Sequence, residues 1–161
     1  MRNPVLVLGV GNTLFTDDGA GVYAVRMARS NWKGEGIEFK EVADGGFDLL
    51  QHILNYEAVL VVDAAVTGLA EPGEVYTIAP QSLPPSFSTR THGAGLGTAL
   101  AVGRSLNLNL PRRMELLAIE ARDISTVGYI PTTPVADAIR PASEEILKLA
   151  QEMLREVTTL A

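Results

Sequence analysis

Residues 5–21 read VLVLGVGNTLFTDDGAG, an apolar run followed by a glycine-rich turn that contains two adjacent carboxylates. The run from Val5 to Val10 does not alternate with polar residues, which predicts a strand buried on both faces. From Asp18 to about Asn31 the pattern predicts a helix, and acidic residues in its first turn favour the positive end of a helix. A buried strand, a tight turn and a helix in this order are typical of the start of an α/β fold.

The turn is similar to a dinucleotide-binding loop but differs from it in charge. Gly9 and Gly11 have the spacing of such a loop, whereas Leu14 stands where the third glycine is expected. The carboxylates of Asp17 and Asp18 would repel a phosphate at the helix N-terminus and attract a cation. The stretch therefore indicates a metal site and disfavours a nucleotide-binding α/β module, which is kept as a minor alternative.

Composition narrows the classes of function further. The chain has 161 residues, 47% hydrophobic and 20% charged, with a net charge of −6 and no cysteine. A single globular domain over residues 1–161 is expected from this length. The negative net charge disfavours binding to nucleic acid. Without cysteine, thiolate zinc sites and cysteine nucleophiles are excluded. No apolar run is long enough for a membrane span, and no signal peptide is recognisable, so we expect a cytoplasmic protein.

The remainder of the chain continues the alternation of strands and helices. Further strands are predicted at 37–42, 58–62, 75–78 and 114–119, the third of them as an antiparallel edge. Helices are predicted at 47–54 and 93–105, and apolar residues at three- and four-residue steps from 135 to 157 predict a long final helix. The expected fold is a three-layer α/β/α sandwich with a mostly parallel, twisted sheet.

Ionisable residues follow three of the predicted strands. Asp18 lies after the first strand, Asp44 after the second and Asp63 directly after the third, while His92 begins the predicted glycine-rich helix. Ligands of open α/β sheets bind beyond the carboxyl ends of the strands, so we expect Asp18, Asp63 and His92 to surround one ion. Two carboxylates and an imidazole suit zinc, nickel, manganese or cadmium.

Each of these residues also has a purely structural interpretation. Asp17 is expected to cap the first helix, which leaves Asp18 for the metal. Asp63 alone could cap a turn, and His92 alone could be a surface residue. His52 lies beside apolar residues in a short helix and is expected to be structural.

With these residues in place, the sequence resembles the hydrogenase maturation endopeptidases, which process the large subunit of nickel–iron hydrogenases. The resemblance extends over nearly the whole chain. Its motifs are GVGNTL at 9–14 with DDGAG at 17–21, then DGG at 44–46, VVDA at 61–64 and HGAGL at 92–96. The first motif is specific, and the others gain weight from their order and spacing.

The resemblance implies a metal-binding trio at Asp18, Asp63 and His92, with Asp44 as catalytic support. Relatives often have glutamate at the position of Asp18, and they often have proline at the position of Ala121. The implied substrate is a large-subunit precursor loaded with nickel, so the metal would come with the substrate and no resident cofactor would be needed. Water would hydrolyse one peptide bond near the C-terminus of the precursor; the identity of the general base stays open. The main alternative is a non-catalytic nickel metallochaperone or checkpoint protein for hydrogenase assembly, which would use the same residues.

Overall fold

The computed structural model describes residues 3–43, 48–82 and 96–160. The strands are β1 (Asn3–Val10), β2 (Ile37–Val42), β3 (Tyr56–Ala65), β4 (Val75–Ile78) and β5 (Arg113–Glu120). The helices are α1 (Ala20–Asn31), α2 (Asp48–Ile53), α3 (Leu96–Ser105) and α4 (Thr133–Thr159), with short 3-10 helices at Thr16–Gly19 and Pro80–Ser82.

The five strands form one sheet in the order β2-β1-β3-β5-β4. Strands β2, β1, β3 and β5 run parallel, and β4 pairs antiparallel with β5 at the edge of the sheet. This confirms the predicted α/β architecture and its antiparallel edge strand. The chain goes from β1 outward to β2 and then returns to place β3 on the other side of β1. This reversal opens a crevice at the carboxyl ends of β1 and β3, where α/β proteins of this kind bind ligands.

The sheet is covered on both faces because alternate side chains of its central strands enter two separate cores. Val5 and Val7 of β1 belong to the core shared with α1 and α4. Leu6, Leu8 and Val10 belong to the core shared with α2 and α3. Such burial on both faces explains why the strand is apolar without alternation.

Helix α4 is amphipathic, as the spacing of its apolar residues predicts. The residues on its buried face include Val135, Ile139, Ile146 and Met153. Among the described residues, no helix combines the length and the apolar character that a bilayer span requires.

Two element boundaries differ from the prediction in ways that affect the site. Strand β3 continues to Ala65, so Asp63 lies within the strand, where it pairs in register with Ala118, and not directly after it. Helix α1 begins at Ala20, because residues 16–19 form a 3-10 turn that carries both Asp17 and Asp18. The expected sites at Asp44 and His92 lie outside the described residues.

Candidate functional site

The turn after β1 holds Asp18 through backbone contacts. Gly11 has a φ of +145°, and a Cβ there would lie 2.0 Å from the carbonyl oxygen of Asp18. The N–H of Asn12 donates to Oδ2 of Asp18 at 2.8 Å, and the side-chain oxygen of Asn12 accepts the N–H of Leu14 at 3.0 Å. The carboxyl group of Asp18 is therefore buried at a defined place beside the end of β1.

A second glycine brings this turn against β3. A Cβ on Gly21 would lie 2.4 Å from the carbonyl oxygen of Val62 and 3.0 Å from the Cα of Asp63. Only a residue without a side chain lets the first turn of α1 come so close to the strand. The contact places Asp18 and Asp63 at the crevice between β1 and β3, as the sequence predicts.

The environment of Asp63 favours its neutral form. Burial raises the pKa of Asp63 well above its ordinary value of 3.8, and the negative charge of Asp18 raises it further, while the N–H of Ala64 acts in the opposite direction. An acid that is both desolvated and close to a second carboxylate resists ionisation. A cation in the crevice would reverse this effect by stabilising both ionised carboxylates.

Two of the predicted site residues, His92 and Asp44, are not among the described residues. Of the predicted metal-binding trio, the structure therefore describes Asp18 and Asp63. Within the described ranges, no group of three or more histidine or acidic side chains is arranged to hold a metal ion. His52 is half-buried in the last turn of α2.

Asp17 does not cap the first helix, and that prediction is wrong. Neither the 3-10 turn nor α1 has a side-chain cap at its N-terminus. The fully buried carboxylate of Asp17 instead accepts the N–H groups of Arg122 and Asp123, both at 2.9 Å, and that of Thr132 at 2.7 Å. The hydroxyl of Thr132 also donates to it, at 2.8 Å. Asp17 thus joins the turn after β1 to both ends of the loop at 121–132.

Glu120 is a buried acid whose environment the sequence analysis did not predict. Its carboxylate accepts the N–H of Thr67 at 2.8 Å, the N–H of Gly68 at 3.1 Å and the hydroxyl of Tyr76 at 2.8 Å. Burial and this bond to Glu120 raise the pKa of Tyr76 to about 12. Glu120 is the last residue of the apolar strand β5. An acid at the carboxyl end of an apolar run was the sequence signal that could have identified it.

Fold and site together define a class, namely α/β proteins with an acidic site at the crevice where the strand order of a parallel sheet reverses. The family model of the hydrogenase maturation proteases matches residues 33–149. The chain therefore belongs to the hydrogenase maturation protease family and is a peptidase. The matched span includes Asp63 but begins after the turn that carries Asp18.

Individual relatives extend the similarity to almost the whole chain. The hydrogenase 2 maturation protease of Escherichia coli is 29% identical over 154 residues, which cover 92% of this chain and 91% of the relative. A hydrogenase expression/formation protein of Azotobacter vinelandii is 27% identical, and the match covers 94% of this chain and 72% of that relative. Among solved structures, a hydrogenase maturating endopeptidase from E. coli superimposes with a TM-score of 0.80 at 26% identity, covering 94% of this chain and 93% of the other.

Proposed function

We propose that the protein removes the C-terminal extension from a nickel-loaded precursor of a nickel–iron hydrogenase large subunit. In this proposal Asp18, Asp63 and His92 contact the nickel that the precursor carries, so the metal belongs to the substrate. The observation that carries the proposal is the burial of Asp18 and Asp63 at one crevice, with a raised pKa at Asp63.

The electrostatics of the pair supply a reason for recognition of a metal. Without a cation, ionisation of Asp63 is opposed by burial and by the charge of Asp18. A divalent ion presented by the substrate favours ionisation, so a metal-loaded precursor gains an attraction that the metal-free precursor lacks. Carboxylate and imidazole ligands together are compatible with nickel.

Cleavage itself is a hydrolysis. Water adds to the carbonyl carbon of the scissile bond, the carbon–nitrogen bond breaks, and the new amine leaves with a proton while the new carboxyl group remains on the mature subunit. Asp18, Asp63, His92 and Asp44 are the catalytic candidates, and an acid such as Asp63, with a pKa raised by its surroundings, suits proton transfer near neutral pH. Family membership supports this peptidase over the non-catalytic checkpoint protein.

The test is a cleavage assay on the large-subunit precursor of the source organism, prepared with and without nickel. Intact mass spectrometry follows the loss of the C-terminal peptide. We expect the nickel-loaded precursor to be shortened and the nickel-free precursor to persist. Equal cleavage of both would contradict nickel recognition, and cleavage of neither would contradict the proposed function.

Variants connect this activity to the site. His92→Ala and Asp63→Asn should each abolish shortening of the nickel-loaded precursor, since each removes one proposed metal contact. Asp137→Asn is the matched control, because Asp137 is an exposed acid on α4. Normal processing by both site variants would overturn the assignment of these residues.

A further inference from the structure

The loop at 121–132 exposes large apolar side chains beside the site. Val127, Tyr129 and Ile130 are all exposed there, with Val127 at 74% and Ile130 at 82% of their full accessibility. Leu14, in the turn after β1, is also exposed. We call these four residues the apolar platform.

Backbone hydrogen bonds fix the apolar platform to the turn after β1. The N–H of Gly128 donates to the carbonyl oxygen of Leu14, and the N–H of Thr16 donates to the carbonyl oxygen of Gly128, both at 2.8 Å. The hydroxyl of Tyr23 donates to the carbonyl oxygen of Tyr129 at 3.0 Å. With Asp17 also bonded to both ends of the loop, the backbone that carries these side chains is fixed, which lowers the entropic cost of binding a partner.

The apolar platform is continuous with the proposed site. Asn12 connects them, because its side chain accepts the N–H of Leu14 while its own N–H donates to the carboxylate of Asp18. The apolar platform therefore adjoins the turn that holds the carboxylate of Asp18.

The composition and size of the surface indicate the chemistry of its partner. Residues 124–136 contain no charged side chain, in a chain of which 20% is charged. Four side chains expose on the order of a few hundred Å², the size of functional patches on monomers, and a stable dimer needs about 800 Å² from each partner. An uncharged surface of this size suits transient contact with a short apolar segment.

We propose that the apolar platform binds an apolar segment of the protein substrate next to the scissile bond. This proposal rests on the proposed function, since it assumes that the crevice of Asp18 and Asp63 is where the precursor is cleaved. The platform supplies affinity for the polypeptide, whereas the crevice supplies the chemistry.

The test compares two double variants in the cleavage assay on the nickel-loaded precursor. The platform variant carries V127S and I130S. The control variant carries L106S and L160S, at residues that are similarly exposed, at 63% and 75%, but lie at the C-terminal ends of α3 and α4. We expect the platform variant to raise KM about tenfold with kcat nearly unchanged, because truncation of exposed contact residues weakens binding and leaves the reacting groups in place. The control variant should stay within about twofold of the unsubstituted protein in both constants.

Each other outcome has a definite meaning. Cleavage by the platform variant with an unchanged KM would overturn the docking surface and leave the proposed function intact. A fall in kcat at constant KM would also overturn it, since the residues would then act on the chemistry. A dimer of the unsubstituted protein in sedimentation analysis, lost in the platform variant with KM unaltered, would assign the surface to a second copy. Absence of cleavage by the unsubstituted protein would remove the proposed function and this proposal together.

Discussion

Asp17 and Asp18 are neighbours in one short turn, yet their carboxylates have opposite relations to the rest of the molecule. That of Asp17 accepts three backbone N–H groups and a hydroxyl from the loop at 121–132. That of Asp18 lies at the crevice with Asp63 and raises the pKa of that residue. Successive residues of a 3-10 helix point about 120° apart, so the turn separates the two side chains. Two identical adjacent residues thus differ in role, since Asp17 is a structural acid and Asp18 a candidate functional acid.

The largest effect is expected from Asp18→Asn, which removes the charge of the candidate functional acid. Under the proposed function, we expect loss of at least about three orders of magnitude in cleavage rate, because an amide cannot replace a carboxylate at a metal contact or in electrostatic catalysis. The thermal midpoint should stay within a few degrees of that of the unsubstituted protein, as circular dichroism would measure. An active Asp18→Asn variant would place the functional acid elsewhere.

Asp17→Ala should give the converse result, a large effect on stability. The change leaves the N–H groups of Arg122, Asp123 and Thr132 without their buried acceptor. Each buried unsatisfied group costs about 1–3 kcal/mol. Because these three bonds are only partly buried, we expect the free energy of unfolding to fall by an amount near the lower end of the sum, about 3–5 kcal/mol, in urea titration. Asp137→Ala, at an exposed acid of α4, is the control and should change it by less than about 0.5 kcal/mol. Equal stability of the two variants would refute the structural role of Asp17.

Asp63→Asn should change the way in which the stability of the protein depends on pH. Folded Asp63 keeps its proton above the ordinary pKa of 3.8, whereas the unfolded chain loses it there, so folding binds more protons and stability falls as pH rises from 3.8 to the raised pKa. Asparagine does not ionise and removes this loss. We expect a thermal midpoint above that of the unsubstituted protein at pH 7, with the difference vanishing near pH 4. A constant difference across this pH range would contradict the raised pKa.

The smallest expected effect is that of Thr132→Val, which removes only the hydroxyl bond to Asp17 and leaves the backbone N–H bond in place. We expect a loss of about 1 kcal/mol in the free energy of unfolding, the usual value for one hydrogen bond to a side chain. In the Asp17→Ala background the same substitution should cost much less, since the acceptor is already gone. Additive losses in the double variant would show that Thr132 acts independently of Asp17.

Patterns that reflect burial allowed much of the fold to be predicted from sequence. The apolar runs of β1 and β3, the periodicity of α4 and the short edge strand β4 all have local signals that the tertiary structure reinforces. The same logic placed Asp18 and Asp63 at one edge of the sheet, because parallel strands end on the same side.

The role of Asp17 and the environment of Glu120 could not be predicted in this way. Asp17 binds residues more than 100 positions away, and Glu120 binds Thr67 and Tyr76 across the end of the sheet. Capping preferences concern only neighbours in the chain. They could not predict that Asp17 accepts backbone N–H groups from a distant loop rather than capping the helix beside it. The sequence motifs at Asp44 and His92 stay predictions.

The contact between Gly21 and Val62 has a further consequence for how such a site can be retuned. Because a Cβ on Gly21 would collide with main-chain atoms of β3, no side chain at that position separates α1 from β3. The length of the acidic side chain at position 18 then determines how far its carboxylate extends. Glutamate at this position, which the resemblance associates with relatives, would advance the carboxylate by roughly 1.5 Å, one carbon–carbon bond. Under the proposed function, side-chain length at position 18 would therefore set the distance between this carboxylate and a metal that the substrate carries.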